Sequence, residues 1–196
     1  DRSESLFTPT NPATNAFELV RDTARLECLN PQDLLRLQES LSSDDQNATV
    51  SDVLSAMVAE KRLTEFQVSC LKRGQGQALI LGNYLLLDNV GEGGMGQVFK
   101  AIHRRMKRVV AIKLLSPKSL NSPVAIEQFH QEIEVLAKLE HPNIVPAYDA
   151  DESQGKHFLV MQYIEGIDLA RLVREQGPLS VPQAIQMHQI PLDATH

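Results

Sequence analysis

The sequence contains no tryptophan and only two cysteines, Cys28 and Cys70. These cysteines lie far apart, with neither C-x-x-C spacing nor histidines at metal-ligand spacing, which argues against a zinc site and a disulfide framework. We therefore expect two reduced, partly buried thiols, as in cytosolic proteins.

Long apolar runs are also missing. The longest candidate, ALILGNYLLL, is broken by Gly82 and Asn83, and it is much shorter than the run of about 20 residues that spans a bilayer. The opening residues, DRSESLFTPTNP, are polar and lack the apolar centre of a signal peptide. These absences predict a soluble, cytoplasmic chain and leave open whether a membrane anchor lies beyond it.

The chain has no excess of positive charge, because it contains 19 Lys and Arg residues and 25 Asp and Glu residues. Its net charge is therefore -6. Nucleic-acid binding depends largely on Lys and Arg contacts with phosphates, so we expect no nucleic-acid partner. With 42% hydrophobic and 22% charged residues among 196, the composition is that of a globular protein of one domain or two small ones.

The first part of the chain has a helical period. Residues 1–13 are polar and punctuated by proline, and we expect them to be disordered. Residues 14–74 then predict a small all-α region. Within it, Asn30 and Pro31 form a helix start signal, and Thr64 is the expected cap of a later short helix.

A glycine-marked linker is predicted over residues 75–83, and the period changes after it. An amphipathic helix over 122–141 is ended by Pro142. Strand-like segments occupy five stretches: 84–90, 97–102, 109–115, 144–150 and 157–164. This order predicts an α+β fold, an antiparallel five-stranded sheet with one packed helix.

Three glycines, Gly91, Gly93 and Gly96, have the spacing G-x-G-x-x-G. The same spacing occurs in dinucleotide-binding βαβ units, but there the last glycine opens a helix. Here it is followed by Val98 and Phe99, which favour a strand. We therefore expect the glycines at the tip of a β-hairpin, where the missing Cβ atoms let the backbone cover phosphates.

A single lysine, Lys113, lies in the apolar run VVAIKLL, 17 residues after Gly96. A buried ammonium group is costly unless an anion meets it. Nucleotide phosphates and a helix carboxylate are the two candidates. Glu132 borders the apolar stripe of the predicted helix, three residues after Phe129, and is the expected carboxylate.

These motifs resemble those of one family. VGEGGMGQV and VAIK resemble the glycine-rich loop and ATP-positioning lysine of eukaryotic-type (Hanks-type) serine/threonine protein kinases. Glu132 matches the glutamate of the family's helix, and EHPNIV resembles the loop that follows that helix. FLVMQYIEGIDL resembles the strand and hinge that lie beside adenine. The amino-acid sequence of this part of the chain is most similar to that of bacterial kinases abundant in planctomycetes. The resemblance covers about residues 81–187, and it implies a kinase small lobe with hinge over 84–168 and the start of a large lobe over 169–187.

The resemblance implies ATP as ligand, with its phosphates covered by four glycines: Gly91, Gly93, Gly94 and Gly96. Lys113 would hold the α- and β-phosphates and pair with Glu132.

The adenine end of the implied site has a roof of three small apolar residues: Val90, Val98 and Ala111. Met161 matches the gatekeeper position at the back of the pocket. The backbones of Gln162 and Ile164 would form hydrogen bonds with adenine, and Asp168 would reach the ribose.

Two further family motifs do not occur in the sequence. H-R-D-x-x-x-x-N and D-F-G supply the catalytic aspartate and the Mg²⁺ ligands, and neither is present. The resemblance therefore implies Mg²⁺ held by ligands outside this chain, and no catalytic residue within it. We expect residues 188–196 to depart from the family pattern, the large lobe to be essentially absent, and this chain alone to be inactive.

Without a large lobe, the apolar side chains around Leu136, Leu139 and Met161 would be exposed, which predicts marginal stability and self-association.

Two functional interpretations remain. One is the ATP-binding small lobe of a serine/threonine protein kinase that phosphorylates protein Ser/Thr hydroxyls in an intact homologue. The alternative is a catalytically inactive nucleotide-binding or protein-interaction module. The protein substrate is not indicated by the sequence, and the basic turn HRRMKR (103–108) is interpreted as a solvated hairpin turn rather than an anion site.

Overall fold

The computed structural model describes residues 22, 24, 26, 31–41, 46–93 and 96–188. Predictions for residues 1–13, for Cys28, for Gly94 and for the tail after His188 lie outside the described residues.

In the part of the chain described from residue 31 onward, three helices precede the sheet: α1 (Pro31–Leu41), α2 (Gln46–Ala59) and α3 (Glu65–Lys72). Pro31 is the first residue of α1, where a fixed φ and a missing N–H suit a helix start. Thr64 forms a capping box with Gln67, since its hydroxyl accepts from the Gln67 N–H and the Gln67 side chain accepts from the Thr64 N–H. Both predicted helix starts are therefore present.

Six strands form one antiparallel sheet in the order β1-β2-β3-β4-β6-β5. Their bounds are β1 (Ile80–Leu81), β2 (Tyr84–Gly93), β3 (Gly96–His103), β4 (Val109–Leu115), β5 (Ala147–Ser153) and β6 (Lys156–Gln162). The five predicted strands are confirmed, with β5 beginning and ending three residues later than expected. The turn between β5 and β6 contains Gln154 and Gly155, both at positive φ, as a two-residue hairpin requires.

The prediction of five strands was wrong by one. The segment 75–83 contains a 3₁₀ turn, Gly76–Leu79, and then β1. β1 pairs with β2 across Gly82, whose φ of 55° a glycine adopts without steric strain. A strand of two residues is too short to show an alternation pattern, which is why no strand is predicted there.

Four helices accompany or follow the sheet: α4 (Pro117–Leu120), α5 (Pro123–Leu136), α6 (Leu169–Gln176) and α7 (Val181–His188). α5 is the predicted packed helix, capped by Ser122 at its N-terminus. It ends at Leu136 rather than near Pro142, because the Lys138 and Leu139 N–H groups donate to carbonyls three residues back instead of four. Leu139 is consequently 40% exposed instead of continuing the buried stripe.

The two faces of the sheet are covered by different helices. On β4, Ile112 and Leu114 belong to a core cluster that also contains residues of α2 and α3, such as Leu54 and Leu71. Leu115 packs with Phe129 of α5 in a second cluster. Because successive side chains of a strand point to opposite faces, the helical region lies on one face of β4 and α5 on the other.

The helical region and the sheet share one continuous core. Leu54 and Cys70 from the helices and Phe99 and Ile112 from the sheet each have 0% exposure and belong to the same cluster. Cys70 is a free thiol, and burial raises its pKa. Among the described residues, no helix combines the length and apolarity that crossing a bilayer requires.

We predict that Thr64→Ala lowers the free energy of unfolding by about 1–2 kcal/mol, because it removes a helix cap. It also removes the hydrogen bond from the Thr64 hydroxyl to the Leu87 carbonyl, which joins α3 to β2. Urea denaturation followed by circular dichroism measures this. The control is Ser55→Ala on α2, whose hydroxyl bonds only within its own helix in the contacts described and whose effect should stay below about 0.5 kcal/mol. Equal effects of the two changes would contradict the capping role.

Candidate functional site

The three glycines lie at the tip of the hairpin formed by β2 and β3. Gly91 is paired with Val98, and Gly93 with Gly96. This segment is called the glycine hairpin below. A register shift between Asn89 and Gly91 interrupts the ladder, and the Asn89 side chain accepts from the Gly91 N–H. The hairpin prediction is thus confirmed, and the helix-opening alternative is not.

The three glycines differ in the structural reason for having no side chain. A Cβ on Gly96 would overlap the backbone carbonyl of Leu114 on β4, so close packing of strands explains this glycine. A Cβ on Gly93 would have nothing within 4 Å, and one on Gly91 would reach only Val98. Neither lies among the glycines at positive φ. Packing within the hairpin therefore leaves Gly91 and Gly93 unexplained, and close approach of a ligand to the backbone is a reason for glycine there.

Lys113 and Glu132 form a bidentate ion pair between β4 and α5. The Lys113 Nζ donates to the two carboxylate oxygens of Glu132 at 2.7 and 2.8 Å. The side chains are 23% and 35% exposed, so the pair is partly buried. An ammonium group has three N–H donors, and the two bonds to Glu132 use two of them. The third N–H of Lys113 can therefore donate to a further anionic acceptor.

Four predicted site residues share the α5 face of the sheet. Residues directly opposite each other in an antiparallel pair lie on the same face. Val98 is opposite Lys113, and Ala111 is opposite Met161. Ala111 and Lys113 are two residues apart on β4, so all four side chains lie together. Val90, which is 46% exposed, lies at the register shift between Asn89 and Gly91, where the strand pairing is interrupted.

The predicted hinge follows β6. The Gln162 N–H donates to the Pro146 carbonyl at 3.1 Å, so this N–H is engaged within the chain. Ile164 is half-buried in the extended segment that follows. The Lys100 ammonium lies 4.5 Å from the centre of the Tyr163 ring, a cation–π contact that links the hinge to β3 and that the sequence analysis did not anticipate.

Asp168 has a structural role that the sequence analysis missed. Its carboxylate caps α6 by accepting from the Arg171 N–H at 2.7 Å. Aspartate three residues before a backbone N–H at a helix start is a recognisable capping signal, which the predicted ribose contact obscured. This bond occupies one of the two carboxylate oxygens of Asp168.

Burial and neighbouring charges shift the pKa of several side chains in the sheet and in α6. Burial, together with the nearby Asp149 carboxylate, raises the pKa of Tyr84. Burial lowers the pKa of Lys156 on β6. The Glu175 carboxylate raises the pKa of Arg171 on exposed α6. In the part of the chain that the structure describes, no three His, Cys, Asp or Glu side chains form a group that could hold a metal ion.

Comparison with known proteins gives matches over the same part of the chain. The family model described as protein kinase domain matches residues 84–193. Serine/threonine-protein kinase PknE of Mycobacterium tuberculosis is 39% identical over 118 residues, which cover 59% of this chain and 21% of PknE. The probable serine/threonine-protein kinase pknA2 of Bifidobacterium longum is 36% identical over 118 residues, covering 59% of this chain and 16% of pknA2. The chain thus spans about a fifth of the length of these relatives.

Among solved structures, the PknI kinase domain of Mycobacterium tuberculosis matches 53% of this chain and 42% of its own, with 29% identity and a TM-score of 0.44. The likeness to planctomycete proteins stays a prediction.

We predict that Gly96→Ala destabilises the fold by about 1–3 kcal/mol, the usual range for overpacking, because the added methyl group displaces the β4 backbone. Gly93→Ala is the matched control, and its open surroundings predict a change below about 0.5 kcal/mol. Thermal unfolding of both variants measures the difference. A Gly93→Ala protein that is as unstable as Gly96→Ala would show that the hairpin is packed differently.

Proposed function

The chain belongs to the protein kinase domain family, whose model covers more than half of it, and from this premise we propose that residues 84–168 form the ATP-binding part of a serine/threonine protein kinase. The family uses ATP and Mg²⁺. That this chain binds ATP is our proposal, and the observation that carries it is the partly buried Lys113–Glu132 pair beside the glycine hairpin.

At the phosphate end, Lys113 donates from Nζ to the α- and β-phosphate oxygens, while Glu132 holds the ammonium group in position. This arrangement neutralises phosphate charge with a lysine whose place is already fixed, which lowers the entropic cost of binding. The missing Cβ atoms of Gly91 and Gly93 let the phosphates approach the backbone of the glycine hairpin, and Gly96 lets β3 pack against β4. Bound ATP supplies the phosphoryl group for transfer.

At the base end, we propose an apolar slot for adenine. Val98 and Ala111 lie on the same sheet face as Lys113, and Met161 closes the back of the slot beside Ala111. Val90 covers the slot from the glycine hairpin. Backbone contacts to the base come from the Gln162 carbonyl oxygen and the Ile164 N–H, and the ribose is within the proposed reach of Asp168.

In the whole protein, we propose transfer of the γ-phosphoryl group of ATP to a Ser or Thr hydroxyl of a protein substrate. The oxygen–phosphorus bond to ADP breaks, the hydroxyl oxygen bonds to phosphorus, and the hydroxyl proton is released. The 196 residues contain neither H-R-D nor D-F-G, so we expect this chain taken alone to bind nucleotide without transferring phosphate.

Because ATP is a cytoplasmic donor, we infer a cytoplasmic location for the proposed ATP-binding part of the chain.

The proposal predicts that the 196-residue chain binds ATP and that Lys113→Ala weakens binding about tenfold to a hundredfold. A hydrogen bond to a charged group contributes about 1.5–3 kcal/mol, and each 1.4 kcal/mol is tenfold in affinity. Isothermal titration with ATP gives the dissociation constants. The control is Lys118→Ala, an exposed lysine on α4, which should bind as the unchanged chain does.

Glu132→Gln tests the positioning role separately, because it keeps the shape of the side chain and removes the charge that holds Lys113. We expect weaker ATP binding than in the unchanged chain and stronger binding than in Lys113→Ala. If the unchanged chain binds no ATP, or if Lys113→Ala binds like Lys118→Ala, the nucleotide site is wrong and a protein-interaction module becomes the better interpretation.

A self-associating surface is the second proposal, and it differs from the expected one because Leu136 and Met161 are partly buried against the cluster that contains Phe129. Several large apolar side chains after β6 are more than 40% exposed: Ile167, Leu169, Val173, Val181 and Ile185. Leu169 and Val173 are four residues apart on α6 and therefore share one helix face.

We predict concentration-dependent dimers in sedimentation velocity, weakened at least fivefold by the double change Leu169→Ser and Val173→Ser. The control changes Val124 and Val135 to Ser, two valines on α5 that are similarly exposed. A monomer at all concentrations, or equal weakening by both double changes, would remove this proposal.

A further inference from the structure

A second cavity lies between the helical region and the start of the β2–β3 hairpin. Its volume is about 290 Å³, and its lining shares no residue with the candidate nucleotide site. The lining comes from Leu26, from the segment that joins α2 to α3 with the first turn of α3, from β2, and from the end of β3 with the turn after it. A cavity of about 150 Å³ holds benzene, and small-molecule pockets begin near 300 Å³. This cavity therefore suits a small organic molecule.

The rim of the cavity is cationic. Four of the lining residues are Lys or Arg, and none of those described is Asp or Glu. Arg62 is neutralised by Asp33 at 2.9 Å and Glu60 at 3.1 Å. Lys61 and Lys107 have no carboxylate within ion-pair distance among the described contacts, and both are exposed. This local positive charge contrasts with the net charge of -6 for the whole chain.

Both lysines have a backbone conformation in the left-handed region. Lys61 has φ of 59° and Lys107 has φ of 56°, values that residues other than glycine, asparagine and aspartate adopt at a cost. The structure describes one further non-glycine residue with positive φ, Gln154 in a hairpin turn. The turn with Lys107 is fixed by the bond from its N–H to the His103 carbonyl and by the bond from the Arg104 N–H to the Asn83 carbonyl.

The floor of the cavity is apolar, and its polar side chains are already engaged. Leu63, Leu85 and Ile102 contribute aliphatic surface. The Thr64 hydroxyl donates to the Leu87 carbonyl, and the Gln67 amide donates to the Leu86 carbonyl. A ligand therefore meets aliphatic carbon inside and ammonium groups at the mouth.

We propose that this cavity binds a small amphiphilic anion, with a phosphate or carboxylate group on a short aliphatic body. The anionic group lies between Lys61 and Lys107, and the aliphatic body covers Leu63, Leu85 and Ile102. Inorganic phosphate would leave the apolar floor in contact with water, and a neutral aliphatic molecule would leave the lysines unmatched. The basic turn 103–108 is thus part of an anion site rather than a solvated turn alone. This site does not depend on the proposed ATP site.

Octyl phosphate, below the concentration at which it aggregates, is the probe for isothermal titration against the 196-residue chain. Two comparison ligands separate the parts of the proposal: octyl glucoside has the same chain without charge, and inorganic phosphate has the charge without the chain. We expect octyl phosphate to bind at least tenfold more tightly than either, and more weakly as salt rises. Absence of octyl phosphate binding, or equal binding of octyl glucoside, overturns the proposal.

The double change Lys61→Gln and Lys107→Gln removes the proposed charges at exposed positions, so the fold should persist, as circular dichroism checks. We expect octyl phosphate binding to fall at least fivefold. The control double change, Lys118→Gln and Lys138→Gln, removes the same charge from exposed residues outside the cavity and should leave binding unchanged. Equal affinity in the two double variants would show that general charge, and not this cavity, attracts the probe.

Discussion

The contact between α5 and β4 combines apolar packing with an ion pair, and the arrangement of the candidate site depends on it. Phe129 is buried against Leu115 and Leu159, which sets the rotation of α5 about its axis. Glu132 and Ile133 follow three and four residues later and therefore lie on the same helix face. Lys113 can occupy an apolar strand at 23% exposure because Glu132 meets it. The glycine hairpin then lies next to a lysine whose position is fixed before any ligand arrives.

The helical region is part of the same folded unit as the sheet. Leu54, Cys70 and Phe99 belong to one buried cluster, and the Phe66 and Phe99 rings are 5.9 Å apart between centres. Thr64 and Gln67 add side-chain bonds to the carbonyls of β2. The strand that carries the first glycines is thereby held by the helices at its other end. A ligand in the cavity at that junction contacts both parts, which gives the helical region a chemical role beside its structural one.

Local patterns predicted much of the fold. Alternation and β-branched residues indicated the five longer strands, and helical spacing indicated α5. The glycine spacing together with Val98 and Phe99 indicated the hairpin, and the buried lysine indicated its partner Glu132. These features depend on residues close in sequence or on one strong constraint, the need to satisfy a charge in an apolar run.

Features that depend on distant contacts were missed. β1 exists through pairing with β2 and has too few residues for a pattern of its own. The need for glycine at residue 96 comes from β4, which packs against it. The cavity joins Leu26 with residues of three other segments, so no single stretch of sequence indicated it. One local feature was also missed, since the Asp168 carboxylate, predicted to contact ribose, caps α6 by accepting from the Arg171 N–H.

The most direct test of the nucleotide site is a two-dimensional ¹H–¹⁵N NMR titration of the chain with ATP. We predict that the amide signals of Gly91, Gly93, Lys113 and Ile164 shift together with one dissociation constant, while those of Lys61 and Lys107 at the second cavity stay in place. Shifts confined to other parts of the chain, or no shifts at all, would contradict the account.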